Sequence, residues 1–432
     1  MKKALLTLWI SLLSLLIIGC QFGQTTEGFR IYFDSNGGSY VSSIEYQEEI
    51  TFVMPNQPTK DGFEFDGWYF DNQSFIQPFS LDEISIVQLE DHITLYAKWI
   101  EKNEQPTTVN TIYDEAFLSS LDTILEDGNS IPGLMGVTIS VNGEMLDEQF
   151  YNYLERNIRY NIYSVTKSIT SLLVGIAIDL GYIHSVDDSM SEYIDLSDYN
   201  HQDDLENITI KNLLTMTDGI YWDSNDLASE MIELRRNLYP LDYVLNRQLS
   251  HLPGDHFNYS DGAAHLISYV ISNATGMKTN EFAYEALFEP MGISNPYWTE
   301  DRSGYNIGGC DLYLSNYELD MIGQMVMNHG IYNGERIVSQ SWIIESTTMK
   351  YDDIPYYGYY WWLSRAYDLD IISANGYGGQ HIYIIPAYDL VITTLANAYV
   401  SGEDANIQYN AIDAFVIDDI LRLFSTYNED TF

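Results

Sequence analysis

The chain has 432 residues, enough for two or three domains; 46% are hydrophobic and 19% charged, a composition that builds a core and argues against global disorder. Nineteen basic residues face 63 acidic ones, for a net charge of −44, so no basic stripe exists to neutralise phosphates and nucleic-acid binding is not expected. The balance reads as a heavily solvated acidic exterior that an anionic membrane repels.

Residues 1–19 stand apart from the fold. Lys2 and Lys3 precede an apolar run, 4–18, that is too short for a comfortable membrane span. Gly19-Cys20 then sets a small residue before a cysteine. This resembles a bacterial lipoprotein signal, which implies cleavage before Cys20, a lipid on its sulfur and an anchor in the cell membrane facing outside the cytoplasm. A plain secretory signal is the rival. Residues 20–27 serve as the tether. Cys310 remains as a single thiol without a paired motif, expected to be buried and structural.

Residues 28–99 read as a small β-rich domain. Phe29-Arg30-Ile31-Tyr32-Phe33 alternates like a strand, Asn36-Gly37-Gly38 marks a turn, and Ile93-Thr94-Leu95-Tyr96-Ala97-Lys98-Trp99 closes the unit. With Phe65-Asp66-Gly67-Trp68-Tyr69 between them, this order resembles the internalin-type B repeat, also called the Listeria–Bacteroides repeat. The resemblance implies a β-grasp-like spacer or adhesion module, with a cell-wall or surface contact rather than chemistry.

A polar stretch, 100–112, reads as a linker. The second unit, 113–425, opens with a polar helix at 115–126 and a hairpin whose strands flank Asn142-Gly143. Helices and loops fill 185–330, strands return at 357–363 and 382–395, and a last helix covers 411–424. Helices between an early hairpin and late strands suggest an α/β sandwich whose sheet unites both ends of the unit.

Three segments carry chemistry. Ser164-Val165-Thr166-Lys167 opens an apolar run at helical spacing, so serine and lysine share a helix face. A lysine neutralised by burial near the positive helix end would take the serine proton and make a nucleophile. Tyr259-Ser260-Asp261 follows a Pro253-Gly254 turn, on an expected exposed loop, where a tyrosine hydroxyl can relay a proton. Asn375-Gly376-Tyr377-Gly378-Gly379-Gln380 leads into a strand whose N–H, with that of Ser164, would form an oxyanion hole. Tyr221-Trp222 and Tyr359-Tyr360-Trp361-Trp362 either pack the core or wall an apolar acyl pocket. His256 and His381 flank the motifs and read as packing or loop residues. No zinc motif or Gly-x-Ser-x-Gly elbow occurs, and no cofactor is expected.

In this order and spacing the three segments resemble the serine β-lactamase and penicillin-binding superfamily, nearest its class C-like esterases and 6-aminohexanoate-oligomer hydrolases. Ile208 to Gly219 and Ile307 to Ser315 look like further segments of that branch. The resemblance implies a β-lactamase-like α/β fold, an antiparallel sheet flanked by helices plus an all-helical region. It also implies Ser164 as the acylated nucleophile, Lys167 as general base, Tyr259 as proton shuttle, and Ser164 and Tyr377 as oxyanion donors. Asp261, Trp222, Trp361, Gly376 and Gln380 are candidate pocket residues.

Two departures redirect the substrate. Asp261 stands where the superfamily usually has asparagine, and a carboxylate cannot donate an amide proton. Ala374 stands where a lysine or histidine would anchor a substrate carboxylate, so neutral esters or amides, small or peptide-like, are favoured over β-lactams and D-alanyl-D-alanine. A peptidase or β-lactam binder, and a non-catalytic surface-binding lipoprotein, are the alternatives.

Overall fold

A computed structural model describes residues 29–46, 57–60, 63–72, 79, 92–101 and 113–431, apart from 153, 200, 353, 398 and 401. The expected leader, Cys20 with its tether, and the linker after residue 101 lie outside the described residues. No helix among the described residues is long and apolar enough to cross a membrane.

The N-terminal unit is a four-stranded sheet in the order β2-β1-β4-β3. It comprises β1 (Phe29–Asp34), β2 (Ile44–Tyr46), β3 (Phe63–Tyr69) and β4 (His92–Glu101). The first and last strands pair in parallel, Ile31 opposite Ile93 and Phe33 opposite Leu95. One face alternates inward, burying Ile31, Leu95 and Ala97 with Phe65 and Trp68.

The larger unit is built on a six-stranded antiparallel sheet in the order β11-β12-β13-β14-β5-β6. Its early hairpin is β5 (Leu134–Val141) and β6 (Glu144–Phe150). Asn142 and Gly143 join them with φ of 52° and 78°, the left-handed pair that a tight two-residue turn needs. Two short pairs lie outside this sheet: β7 (Tyr160–Asn161) with β8 (Tyr313–Leu314), and β9 (Ile331–Tyr332) with β10 (Glu335–Arg336). The late strands are β11 (Trp362–Ala366), β12 (Leu369–Gly376), β13 (Gln380–Ile385) and β14 (Leu390–Ala396). Strand β14 pairs with β5, Ile392 opposite Ile139, and so closes the sheet between the two ends of the unit, as the sequence suggests.

Side-chain alternation gives the sheet two buried faces. One face packs Val137, Ile139 and Ile392 against Phe117, Leu121, Phe415 and Phe424. Those residues come from α1 (Glu115–Asp127) and from the C-terminal helical stretch, which begins with α6 (Glu403–Ala414) and runs on to Thr431. The other face receives α2 (Val165–Asp179) and α5 (Asn316–Met327), while α4 (Asp261–Thr275) packs against α2 and α3 (Leu227–Arg236) lies against α4 in the helical region. Every residue of α2 from Val165 to Ala177 is buried, the polar Thr166, Lys167, Ser168, Thr170 and Ser171 included, so this helix is enclosed on all sides. Burying Ile169, Leu172 and Leu173 completely contributes about 1.5–3 kcal/mol each.

One expected strand is shorter than proposed. Tyr357 makes only an isolated bridge to Trp362, residues 358–360 form a bend with Tyr360 at a φ of 61°, and β11 begins only at Trp362. The chain there dives into the core, burying Tyr359, Tyr360 and Trp361, rather than running along a sheet edge.

Candidate active site

Ser164 sits at the start of α2, at the N-cap position, and its hydroxyl makes no cap bond. The turn before it is strained: Tyr163 has a φ of 46°. Asn161 holds that turn, its Oδ1 accepting the Tyr163 N–H at 2.8 Å while its Nδ2 donates to Asp311 Oδ1 at 2.7 Å. Non-glycine strain of this kind persists where surrounding contacts enforce it, and it cants Ser164 out of the helix mouth.

One turn along α2, Lys167 places its Nζ 3.0 Å from Ser164 Oγ. The same nitrogen donates to Asp261 Oδ1 at 2.5 Å and to the Gly309 carbonyl at 2.9 Å. All three ammonium donors are thus directed, in a place where the lysine and aspartate side chains are only 1% and 8% exposed. Burial works against the ammonium. The Asp261 carboxylate, helped by the Tyr259 hydroxyl, outweighs it and holds Lys167 above its ordinary range. This corrects the expectation of a lysine neutralised by burial: Lys167 rests as the ammonium.

Tyr259 closes the third side. Its ring lies over Lys167 Nζ, 4.8 Å from the centroid, and Ser164 shares its cavity. Burial pushes this phenol up, so it rests protonated. The segment is not the expected exposed loop. It is the start of buried α4, where Ser260 Oγ caps the helix by accepting the Ala263 N–H at 3.0 Å. Asp261, in the first turn of that helix, favours its positive end.

The Gly308-Gly309 segment runs beside α2 and explains its own glycines. The Gly308 carbonyl accepts from Thr170 Oγ1 at 2.8 Å, next to the Gly309 bond to Lys167. A Cβ on Gly308 would come within 2.1 Å of the Ala264 carbonyl, and one on Gly309 within 3.0 Å of Asp261 Oδ1. Cys310 is buried beside Met231, as a structural thiol should be.

The end of β12 meets the turn at Tyr163 and Ser164. A Cβ on Gly376 would lie 2.5 Å from the Ile162 carbonyl, and the Tyr377 and Tyr163 rings stand 5.5 Å apart. Ser164, Tyr259, Gly376 and Tyr377 share one cavity of about 300 Å³. The Ser164 N–H lies outside the intrahelical ladder, free for an incoming oxygen.

Other pocket expectations are corrected. Asp261 faces Lys167 rather than the cavity. Trp222 is buried under Arg247, whose guanidinium lies 4.5 Å from its ring. Trp361 is wholly buried; its neighbour Trp362 lines the cavity instead, stacked 5.9 Å from Tyr259. Gln380 is also buried, its amide clamping Ala396 through bonds of 2.8 and 2.9 Å. Asn375 and Gly378, from the glycine-rich segment, also line the cavity, whereas Leu227, Ala405, Asn406 and Tyr409 were not foreseen and carried no motif signal.

Comparison with known proteins agrees with this fold. A β-lactamase family model matches residues 121–306, and a Listeria–Bacteroides repeat model matches 29–98. Protein flp of Staphylococcus aureus is 25% identical over 222 residues, covering 46% of this chain and 44% of its own, so the match spans less than half of that relative. A D-stereospecific amidohydrolase from a Streptomyces species superposes with a TM-score of 0.52 at 19% identity, covering 68% of this chain and 97% of its own. A family VIII carboxylesterase gives 0.52 at 16%, covering 71% and 99%. At such identities the likeness to the two structures is one of fold. The chain carries a β-lactamase family domain with a Listeria–Bacteroides repeat ahead of it.

Proposed function

We propose that the β-lactamase family domain is a serine hydrolase that cleaves neutral esters or amides through an acyl-enzyme on Ser164. The observation that carries this reading is the contact of Ser164 Oγ with Lys167 Nζ at 3.0 Å, beneath the Tyr259 ring. The D-stereospecific amidohydrolase and the family VIII carboxylesterase that share the fold support the substrate class.

The proton acceptor is the Lys167–Asp261 pair acting together. As Ser164 Oγ bonds to the acyl carbon, its proton passes to Nζ, and Nζ gives one to Asp261 Oδ1. The developing oxyanion is met by the Ser164 and Tyr377 N–H groups. Collapse breaks the bond to the leaving oxygen or nitrogen, which takes the Tyr259 proton; Tyr259 regains one from the pair. Water then attacks the ester, and the same groups run in reverse to free Ser164.

Nothing in the cavity lining is formally charged, so a substrate carboxylate has no ionic anchor there. This disfavours the penicillin-binding alternative. In the same reading a lipid on Cys20 holds the domain at the outer face of the membrane, and residues 28–99 provide a wall or surface contact.

The test is hydrolysis of p-nitrophenyl acetate with labelling by a fluorophosphonate probe. Ser164→Ala should abolish both while keeping the far-UV spectrum. Turnover or labelling that survives in the variant refutes the assignment.

A further inference from the structure

With no cation at the third motif, the cavity must recognise its substrate by other means. Ala374 is fully buried and points into the core. The next residue, Asn375, is partly exposed and lines the cavity beside Ser164 and Tyr259. Across the strand pair its register partner is His381. The two side chains share a face, and His381 Nδ1 lies 3.1 Å from Asn375 Oδ1.

This contact fixes the amide. His381 is wholly buried, with ring neighbours Tyr383 at 5.0 Å and Tyr409 at 4.8 Å. Burial drives its pKa down to about 3, so the imidazole is neutral wherever the fold persists. Its Nε2 has no hydrogen-bond partner. A buried orphan N–H is rarer than a buried orphan acceptor, so the proton belongs on Nδ1 and the lone pair on Nε2. Nδ1–H then donates to Asn375 Oδ1. With its oxygen engaged, the asparagine presents its NH2 group to the cavity.

We propose that Asn375, oriented by His381, is a specificity-determining donor that binds a neutral oxygen acceptor on the acyl part of the substrate, an amide or ester carbonyl beyond the scissile bond. An amide N–H pairs with such a carbonyl without leaving a charge buried and unmatched. A carboxylate at the same place would be desolvated beside an uncharged wall. The inference rests on the hydrolase reading above, and adds to it what the substrate must carry. His381 is a positioning residue: it acts through Asn375 and touches no substrate.

The test compares two substrates, p-nitrophenyl acetate, which lacks a second carbonyl, and the p-nitrophenyl ester of N-acetylglycine, which has one. The readout is the ratio of their KM values, with kcat followed separately. Asn375→Ala should shift the ratio by about tenfold against the N-acetylglycyl ester, as loss of one hydrogen bond of ~1.4 kcal/mol implies. Asn375→Asp should shift it further, because a carboxylate repels the carbonyl oxygen. His381→Phe keeps an aromatic ring between Tyr383 and Tyr409 but removes the Nδ1–H; it should shift the ratio in the same direction, several-fold, which a purely structural role would not do. A ratio that stays put in the Asn375 variants overturns the inference. So does a His381→Phe variant that folds and leaves the ratio unchanged. Failure of the hydrolase reading is separate: it shows as p-nitrophenyl acetate turnover that survives Ser164→Ala.

Discussion

Asp261→Asn is the most telling single substitution, because it turns the unusual carboxylate into the amide that related sites carry, with little change of shape. In the native site Nζ and Oδ1 are 2.5 Å apart and both side chains are buried. At an effective dielectric constant of ~20 and ~4 Å between charge centres, the attraction is about 4 kcal/mol. Removing it leaves burial as the dominant influence, and Lys167 falls below the ordinary lysine value of 10.5. The native pair accepts the serine proton through Asp261 and needs no free amine, so kcat/KM should be nearly flat between pH 7 and about 10. The variant must deprotonate Lys167 first. Its kcat/KM should fall by about a hundredfold at pH 7 and climb with pH, its midpoint below 10.5. Stability supplies an independent readout. A lysine held above its unfolded value stabilises the native protein fully below pH 10.5, and that contribution fades only as pH rises through the raised value. The variant, whose lysine is depressed, folds with fewer protons than its unfolded chain binds. It should lose up to about 3–5 kcal/mol at pH 7 and recover part of this by pH 10. Urea titrations at the two pH values, with p-nitrophenyl acetate kinetics at constant ionic strength, measure both effects. An unchanged profile and an unchanged rate at pH 7 would refute the shared-proton mechanism.

Tyr259→Phe should lower kcat by about 10²–10³ and slow acylation and deacylation alike, since both need the hydroxyl. Its ring contacts with Lys167 and Trp362 remain, so the melting temperature should hold; a rate within threefold of native would rule out the proton shuttle. Gly309→Ala inserts a methyl 3.0 Å from Asp261 Oδ1 and 3.3 Å from Lys167 Nζ. It should cost about 1–3 kcal/mol by overpacking and at least tenfold in kcat, whereas a surface glycine of no consequence would change neither.

Much of this arrangement is legible in the residues themselves. Ser164 and Lys167 share a face because three residues is nearly one helical turn, and the helical spacing of the apolar residues after them announces the helix. The Asn142-Gly143 turn and the β14 strand likewise follow from local chemistry. Pairings between distant segments are harder to see. Nothing local in Tyr259-Ser260-Asp261 says that Ser260 is committed to capping α4, or that Asp261 meets a lysine 94 residues away. The aromatic run shows a finer limit. Trp361 and Trp362 are equivalent in composition, yet one faces the core and the other the cavity, because Trp361 ends the bend and β11 takes its register from Trp362. That register is set here by the turn at Tyr360, whose positive φ no sequence rule anticipates.

The pairing of β5 with β14 bears on when the catalytic groups come into being. These strands lie about 250 residues apart in the chain, and each is the other's partner in the middle of the sheet. Loop closure over such a span is slow, and it comes late in folding. Strand β12, with Asn375 and the Gly376–Tyr377 turn, joins the sheet only through β13 and β14. An elongating chain therefore carries Ser164 and Lys167 well before Tyr377 or Asn375 can stand opposite them. Reactivity arrives last, in one cooperative step, when the C-terminal strands close the sheet.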